Sequence, residues 1–259
     1  MKGFKPMEDN YRQNNSSEYN FNNEYYSDYY DSAFSGNDTY SEFEANSDII
    51  ADSTYNLIIA AVLLWGFVIN VVLIPYSDYI ISKTGFFLAI IAYLILSMAG
   101  IHIAKRSKKP AISFLGYNMM VIPLGVIISP ILSSYGITTL RYAFISTATA
   151  TVLMLVLAIL YPAIFISAGR GLFAAMSIGL ITELIFMLFG LRPGIFDFIF
   201  VGVFCGYIGY DWALAQQTRK TVDAAIDSAC SLYLDIINLF LRLLRLFGRA
   251  SGSSKNNKF

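Results

Sequence analysis

From residue 55 onward the chain alternates long apolar runs with short polar breaks. Seven runs, at roughly 55–75, 85–104, 110–132, 139–161, 170–190, 194–214 and 227–248, reach or approach the ~20 mostly apolar residues that cross a bilayer. The breaks carry helix-ending signals: Pro75, the run KRSKKP at 105–110, Pro162 and the pair Arg192-Pro193. None of the runs alternates polar with apolar positions. Helices, rather than the strands of a closed barrel, must therefore satisfy the backbone in lipid. The pattern predicts an all-α integral membrane protein with a seven-transmembrane-helix bundle over 55–248 and a polar tail at 249–259. Residues 1–54, rich in Asn, Ser, Tyr and acid, show no apolar period and are expected to be a disordered tail. Its aromatic residues offer a docking segment for membrane-protein partners, although a merely solvated tail weighs more.

Composition sharpens this picture. The chain is 56% hydrophobic and 14% charged, against about 25% charged in soluble domains. Its net charge of zero conceals an asymmetry, because residues 1–54 hold eleven of the eighteen acids and three of the eighteen bases. Seven acids remain beyond: Asp78, Glu183, Asp197, Asp211, Asp223, Asp227 and Asp235. Each is costly in a membrane unless paired or wet, so each is a functional candidate. Cys205 and Cys230 read as small buried hydrophobes rather than a bridge. No zinc-type cluster, phosphate-binding glycine loop, serine triad or HExxH is found, and neither enzymatic activity nor a nucleic-acid partner is expected.

Lysine and arginine in the short loops set orientation. The loops on the side of the N-terminus hold Lys105, Arg106, Lys108, Lys109, Arg170, Arg219 and Lys220; the opposite loops hold Lys83, Arg141 and Arg192. The N-terminus is thus expected in the cytoplasm. Arg249, Lys255 and Lys258 add to the far side, which leaves open a last segment that enters without crossing.

That last segment, SLYLDIINLFLRLLRLFG, raises the central question. Asp235, Asn238, Arg242, Arg245 and Arg249 are spaced by 3, 4, 3 and 4 residues, which places them on one helix face. Such a stripe must meet protein or water, either at the centre of the bundle or flat at an interface. Asp211, in CGYIGYDWALAQ, is 24 residues before Asp235. A turn at about 217–226 would put the two carboxyls about 9 and 13 Å into an antiparallel hairpin, level to within about a helical turn. Gly202, Gly206 and Gly209 on the same helix would let neighbouring backbones approach. Two acids in contact share one proton and form a latch; without it they repel or recruit a cation. Carboxylates suit Ca²⁺, which takes 6–8 oxygens, with Asn238, Tyr233, carbonyls or water completing the shell. The competing reading pairs Asp235 with an arginine for structure alone.

The run Leu232-Tyr233-Leu234-Asp235-Ile236-Ile237-Asn238-Leu239-Phe240 resembles the closing helix of the Bax inhibitor-1 family, and YIGYDWALAQ is similar to its penultimate helix. The resemblance implies seven helices around a central last one. It also implies an aspartate pair, Asp211 and Asp235, that acts as a pH-sensitive latch on a calcium leak. Trp212-Ala213 replaces the Thr-Gln common after the first aspartate, and the second span lacks an acid that some members have. Arg106 is the nearest counterpart of an arginine that helps hold the latch in some members.

Other polar residues are weighed singly. Glu183 lies inside the fifth span as a third ligand or proton site. His102 reads as an interfacial residue, and the basic cluster 105–109 as a topological signal with lipid contact second. Pro123 and Pro130 are tolerated kinks or pore-lining bends. Three functions compete: a pH-gated Ca²⁺ leak, a non-conducting regulator of membrane partners, and, least favoured, an intramembrane aspartyl protease, whose Gly-x-Gly-Asp and Pro-Ala-Leu motifs are missing. The pattern favours a bacterial cytoplasmic membrane, or the endoplasmic reticulum in a eukaryote.

Overall fold

A computed structural model describes residues 49–256 apart from Arg192, with side chains through Ser251. The tail expected at 1–54 lies outside the described residues up to position 48. Its last residues are already ordered as helix, which begins at Asp52. Seven helices follow: α1 Asp52–Thr84, α2 Phe86–Arg106, α3 Pro110–Ser133, α4 Ile137–Leu160, α5 Pro162–Leu188, α6 Ile195–Gln217 and α7 Val222–Asn256. All seven are long and apolar enough to cross a membrane, α7 over Val222–Ser251.

Prolines account for the boundaries, and for one correction. Pro110 and Pro162 stand in the first turns of α3 and α5, where a missing N–H costs nothing. Pro75, Pro123 and Pro130, by contrast, lie inside helices. Pro75 therefore does not end the first span, and α1 continues two turns further to Thr84. Around that proline, Ser129 of α3 (3.3 Å) and Ser77 (2.8 Å) both donate to the Ile74 carbonyl. The carbonyl that Pro75 leaves without its N–H partner is that of Val71, so the Ser129 bond links α3 to α1 beside the proline rather than repairing it. The fifth helix likewise starts eight residues earlier than the apolar run suggested, so Arg170 sits within α5 rather than in a loop.

Of the two places the polar stripe left open, the last helix takes the central one, as the family resemblance implied. It packs against α1, α3, α4 and α6 and touches α2. Ala225, Ala229, Leu232, Tyr233, Leu239 and Leu244 along it are essentially inaccessible. Polar bonds fix its register over most of its length. Tyr55 of α1 meets Ser228 at 2.8 Å, Ser113 of α3 bonds Asp223, and Asn70 of α1 donates to the Tyr233 hydroxyl. The outer helices are held differently. α2 lies on α3 where Gly100 faces Gly116, and a Cβ on Gly100 would come within 2.5 Å of the Gly116 carbonyl oxygen. α5 packs on α6 and buries only Ile166 fully. Its many exposed apolar side chains are those of a lipid-facing helix.

Candidate functional site

Asp235 of α7 is buried and Asp211 of α6 is partly buried, and the two lie within electrostatic reach of each other. Helix geometry brings them together in a way the spacing did not foresee. The turn is only residues 218–221, so Asp211 lies about 9 Å from the end of α6 but Asp235 about 20 Å into α7, at 1.5 Å per residue. For the two carboxyls to lie close together, the hairpin must be offset along its axis by about 10 Å. Within the connecting turn the Thr221 N–H bonds the Arg219 carbonyl at 3.0 Å. Lys220 secures the turn, donating to the Ala215 (3.0 Å) and Gln216 (2.9 Å) carbonyls at the end of α6. Ile50 donates its backbone N–H to the Lys220 carbonyl at 2.8 Å.

A hydrogen bond between two carboxyl groups needs a proton on one of them, since two carboxylates only accept. The second oxygen of Asp235, Oδ2, is buried without a partner, as is Asp227 Oδ1 two turns earlier on the same helix. Tyr207, one turn before Asp211, lies within electrostatic reach of both acids. The Lys105 ammonium at the end of α2 lies within electrostatic reach of Asp211 and of Asp227. Orphaned oxygens of this kind are what water or a cation satisfies.

The proposed shell for a resident ion does not assemble. Tyr233 and Asn238 were the side chains suggested to complete it. The Tyr233 hydroxyl accepts from Asn70, and its ring meets Tyr117 edge-on at 5.7 Å and Phe67 at 5.4 Å. Asn238 donates to the Leu234 carbonyl of its own helix at 2.8 Å. Among the described residues no group of three or more His, Cys, Asp or Glu converges. Two carboxyls supply too few of the 6–8 oxygens of a tightly held Ca²⁺. What the arrangement can do is hold a proton, or pass a cation that keeps most of its water.

The arginines of the stripe have other partners, which removes the reading that Asp235 pairs with one of them. Arg242 grips Glu183 of α5 with both terminal nitrogens, each at 2.8 Å, and approaches Asp197 of α6 at 3.3 Å. Arg245 reaches the same Asp197 through Nε at 3.1 Å, and Arg249 through Nη1 at 2.9 Å. Glu183 is therefore an ion-pair partner and not a third ligand of the aspartate site. Asp197, in the first turn of α6, was one acid among seven to sequence reasoning. Its only distinguishing signal was its place near a helix start, where a carboxylate complements the helix dipole.

The remaining candidates fall out simply. Cys205 and Cys230 are free thiols, Cys230 buried against Met120 with the sulfurs 3.7 Å apart. His102 is exposed near the end of α2. Of the three glycines near Asp211, Gly206 and Gly209 receive Leu172 and Phe165 of α5, while Gly202 faces open space. They seat side chains rather than a neighbouring backbone.

Comparison with known proteins agrees with this architecture. The family model described as "Inhibitor of apoptosis-promoting Bax1" matches residues 49–252, the whole helical region. The chain belongs to the Bax inhibitor-1 family. A membrane protein of Streptococcus pyogenes serotype M1 is 30% identical over 210 residues, covering 75% of this chain and 90% of that protein. A Lactococcus lactis protein is 32% identical over 169 residues, covering 62% of this chain and 70% of its own. The plant member named BI1-like protein, from Arabidopsis thaliana, is 41% identical over 81 residues, about 30% of this chain and 31% of that protein. The bacterial likeness thus runs through most of the bundle, whereas the plant likeness is confined to a segment.

Proposed function

We propose that this Bax inhibitor-1 family member is a pH-sensitive, calcium-permeable leak pathway gated by Asp211 and Asp235. The observation that carries the reading is the closeness of two carboxyl groups, one on α6 and one on the central helix. With one proton shared, a hydrogen bond between them would clasp the two helices. Once that proton leaves, two negative charges about 4 Å apart repel by about 4 kcal/mol at an effective dielectric of about 20. That is enough to shift a two-state equilibrium by about a thousandfold. The clasp therefore holds in acid and releases as pH rises. The released site presents two carboxylates to a hydrated cation, with Asp227 and its unpartnered oxygen nearby on the same helix. Calcium is cargo here, since the donor set is too sparse to retain it. The protein performs no bond-making chemistry in this reading.

Loop charge supports a cytoplasmic N-terminus. With Arg170 inside α5, Lys105, Arg106, Lys108, Lys109, Arg219 and Lys220 remain on that side. The arginines near the end of α7 are matched by Glu183 and Asp197 and weigh little against them. A bacterial cytoplasmic membrane fits the streptococcal and lactococcal relatives.

The test is Ca²⁺ flux into proteoliposomes across a pH series, with Asp211→Asn and Asp235→Asn beside the parent. Flux that rises with pH in the parent, and is insensitive to pH in both variants, supports the latch. Equal flux in all three at every pH overturns it. A second reading, a non-conducting regulator of membrane partners, draws on the family description, which names an action on another protein. Deleting residues 1–48 with unchanged flux but a lost cellular phenotype would favour it.

A further inference from the structure

The far end of α7 holds a second polar assembly that the leak does not use. A cavity of about 350 Å³ opens between the end of α5, the start of α6 and the last turns of α7. Its polar wall is Asp197, Glu183 and the three arginines; its apolar wall includes Leu180, Leu184 and Met187 of α5. Three guanidinium groups face two carboxylates there, which leaves a charge of +1. Arg242 is fully engaged and nearly buried. Arg245 and Arg249 are not: they use Nε and Nη1, respectively, on Asp197, and their side chains are 40% and 44% exposed. Their remaining N–H donors are open to an incoming acceptor. The apolar wall is about half exposed and continues onto the outer face of α5, which no helix among the described residues covers.

We propose that this cavity binds the phosphate headgroup of an anionic membrane lipid. Arg245 and Arg249 hold the phosphate oxygens, and an acyl chain runs down Leu180, Leu184 and Met187. Phosphate is the fitting acceptor because paired guanidinium donors match its oxygens, with charge-assisted bonds on both sides. The charge surplus selects an anionic headgroup over a zwitterionic one, since the latter brings its own cation into a site already positive. The apolar continuation selects a lipid over a free ion. The cavity lies where α5 and α7 end and α6 begins, the depth at which headgroups sit. A bound lipid would also join α5 to α7, which meet there chiefly through Glu183 and Arg242.

The experiment uses the full chain reconstituted in phosphatidylcholine vesicles with or without phosphatidylglycerol, then extracted and weighed intact by mass spectrometry. The parent is expected to retain phosphatidylglycerol over phosphatidylcholine by roughly tenfold, the preference of a positive site for a headgroup that brings no cation of its own. The double variant Arg245→Gln/Arg249→Gln should lose that preference, and Arg245→Lys/Arg249→Lys should keep part of it. Should the glutamine variant fail to fold, the parent decides alone: phosphatidylglycerol must raise its unfolding temperature above that in phosphatidylcholine. Equal retention of the two lipids by the parent overturns the site. Displacement of the lipid by millimolar inorganic phosphate would show a free-anion site and overturn the lipid assignment.

Discussion

The central helix is polar at two places, and the two are built in opposite ways. At the Arg242 end every buried charge is answered: Asp197, 3% exposed, meets three guanidinium groups, and Glu183 is gripped by two nitrogens of one. At the Asp235 end two like groups face each other and an oxygen is left over. Matched charges in a low-dielectric interior hold one arrangement firmly, because breaking any pair strands a charge. Like groups hold only while a proton mediates. One end of α7 is thus a fixed clamp and the other is a clasp with a condition attached. A mobile site needs such a fixed reference, and the same helix supplies both.

The largest effect should come from breaking the clamp. Arg242→Met removes both partners' contact with one guanidinium, including its approach to the Phe200 ring at 3.9 Å. Loss of one member of a buried ion pair costs about 3–5 kcal/mol. Unfolding in detergent micelles should show a loss of that size. A loss below ~1 kcal/mol would mean that water screens the network as it does a surface pair, and the contrast between the two ends would dissolve.

At the other end the sign should reverse. Asp235→Asn replaces a carboxyl that must lose its proton by an amide that can always donate to Asp211. Above neutral pH the variant should be more stable than the parent by about 1–3 kcal/mol, the range seen when uncompensated buried charge is removed. In acid, where the parent already shares a proton, the difference should vanish. Stability curves of parent and variant that run parallel across pH would show that the clasp never opens.

The third comparison lies within the motif itself. Tyr233 and Asp235 stand two residues apart but face different neighbours, Tyr233 being inaccessible among Tyr117, Phe67 and Asn70. Tyr233→Phe strands the Asn70 amide, whose own oxygen already has no partner, and should cost about 1–2 kcal/mol. Its ion flux should keep the parent's pH profile. A flattened profile would place the tyrosine in the clasp and not in the packing.

These residues also show what could be read along the chain. The number of helices was legible, because bilayer thickness constrains it directly. The central place of the last one came from the family resemblance, since the 3.6-residue period left centre and interface both open. Pro75 misled, since a proline inside a membrane helix removes one backbone bond without having to end the helix, and α1 runs on to Thr84. The clamp was legible by half. The spacing of Arg242, Arg245 and Arg249 marked a face, yet nothing along the chain says that α5 and α6 bring Glu183 and Asp197 to it. The turn is shorter than the spacing suggested, 218–221 rather than about 217–226, and an offset between helices leaves no mark on spacing.

The smallest effect concerns the turn that sets that offset. Lys220 bonds two carbonyls at the end of α6 and lies over the Tyr55 ring at 4.4 Å, so it ties the turn to α1 as well. A cation at a helix C-terminus contributes up to about 1 kcal/mol. Here burial pulls the ammonium below its ordinary pKa range, with the Asp52 charge opposing, so part of that gain goes to desolvation. Lys220→Ala should therefore cost only about 0.5 kcal/mol in unfolding. Its leverage is geometric: the turn is only four residues long and is tied to the end of α6, and a loosened turn lets α6 slide against α7. The clasp of Asp211 and Asp235 should then open at lower pH, visible as an acid shift of the flux profile with stability almost unchanged. An unshifted profile would mean that the packing of α4 and α5 on α6, and not the turn, fixes the register of the pair.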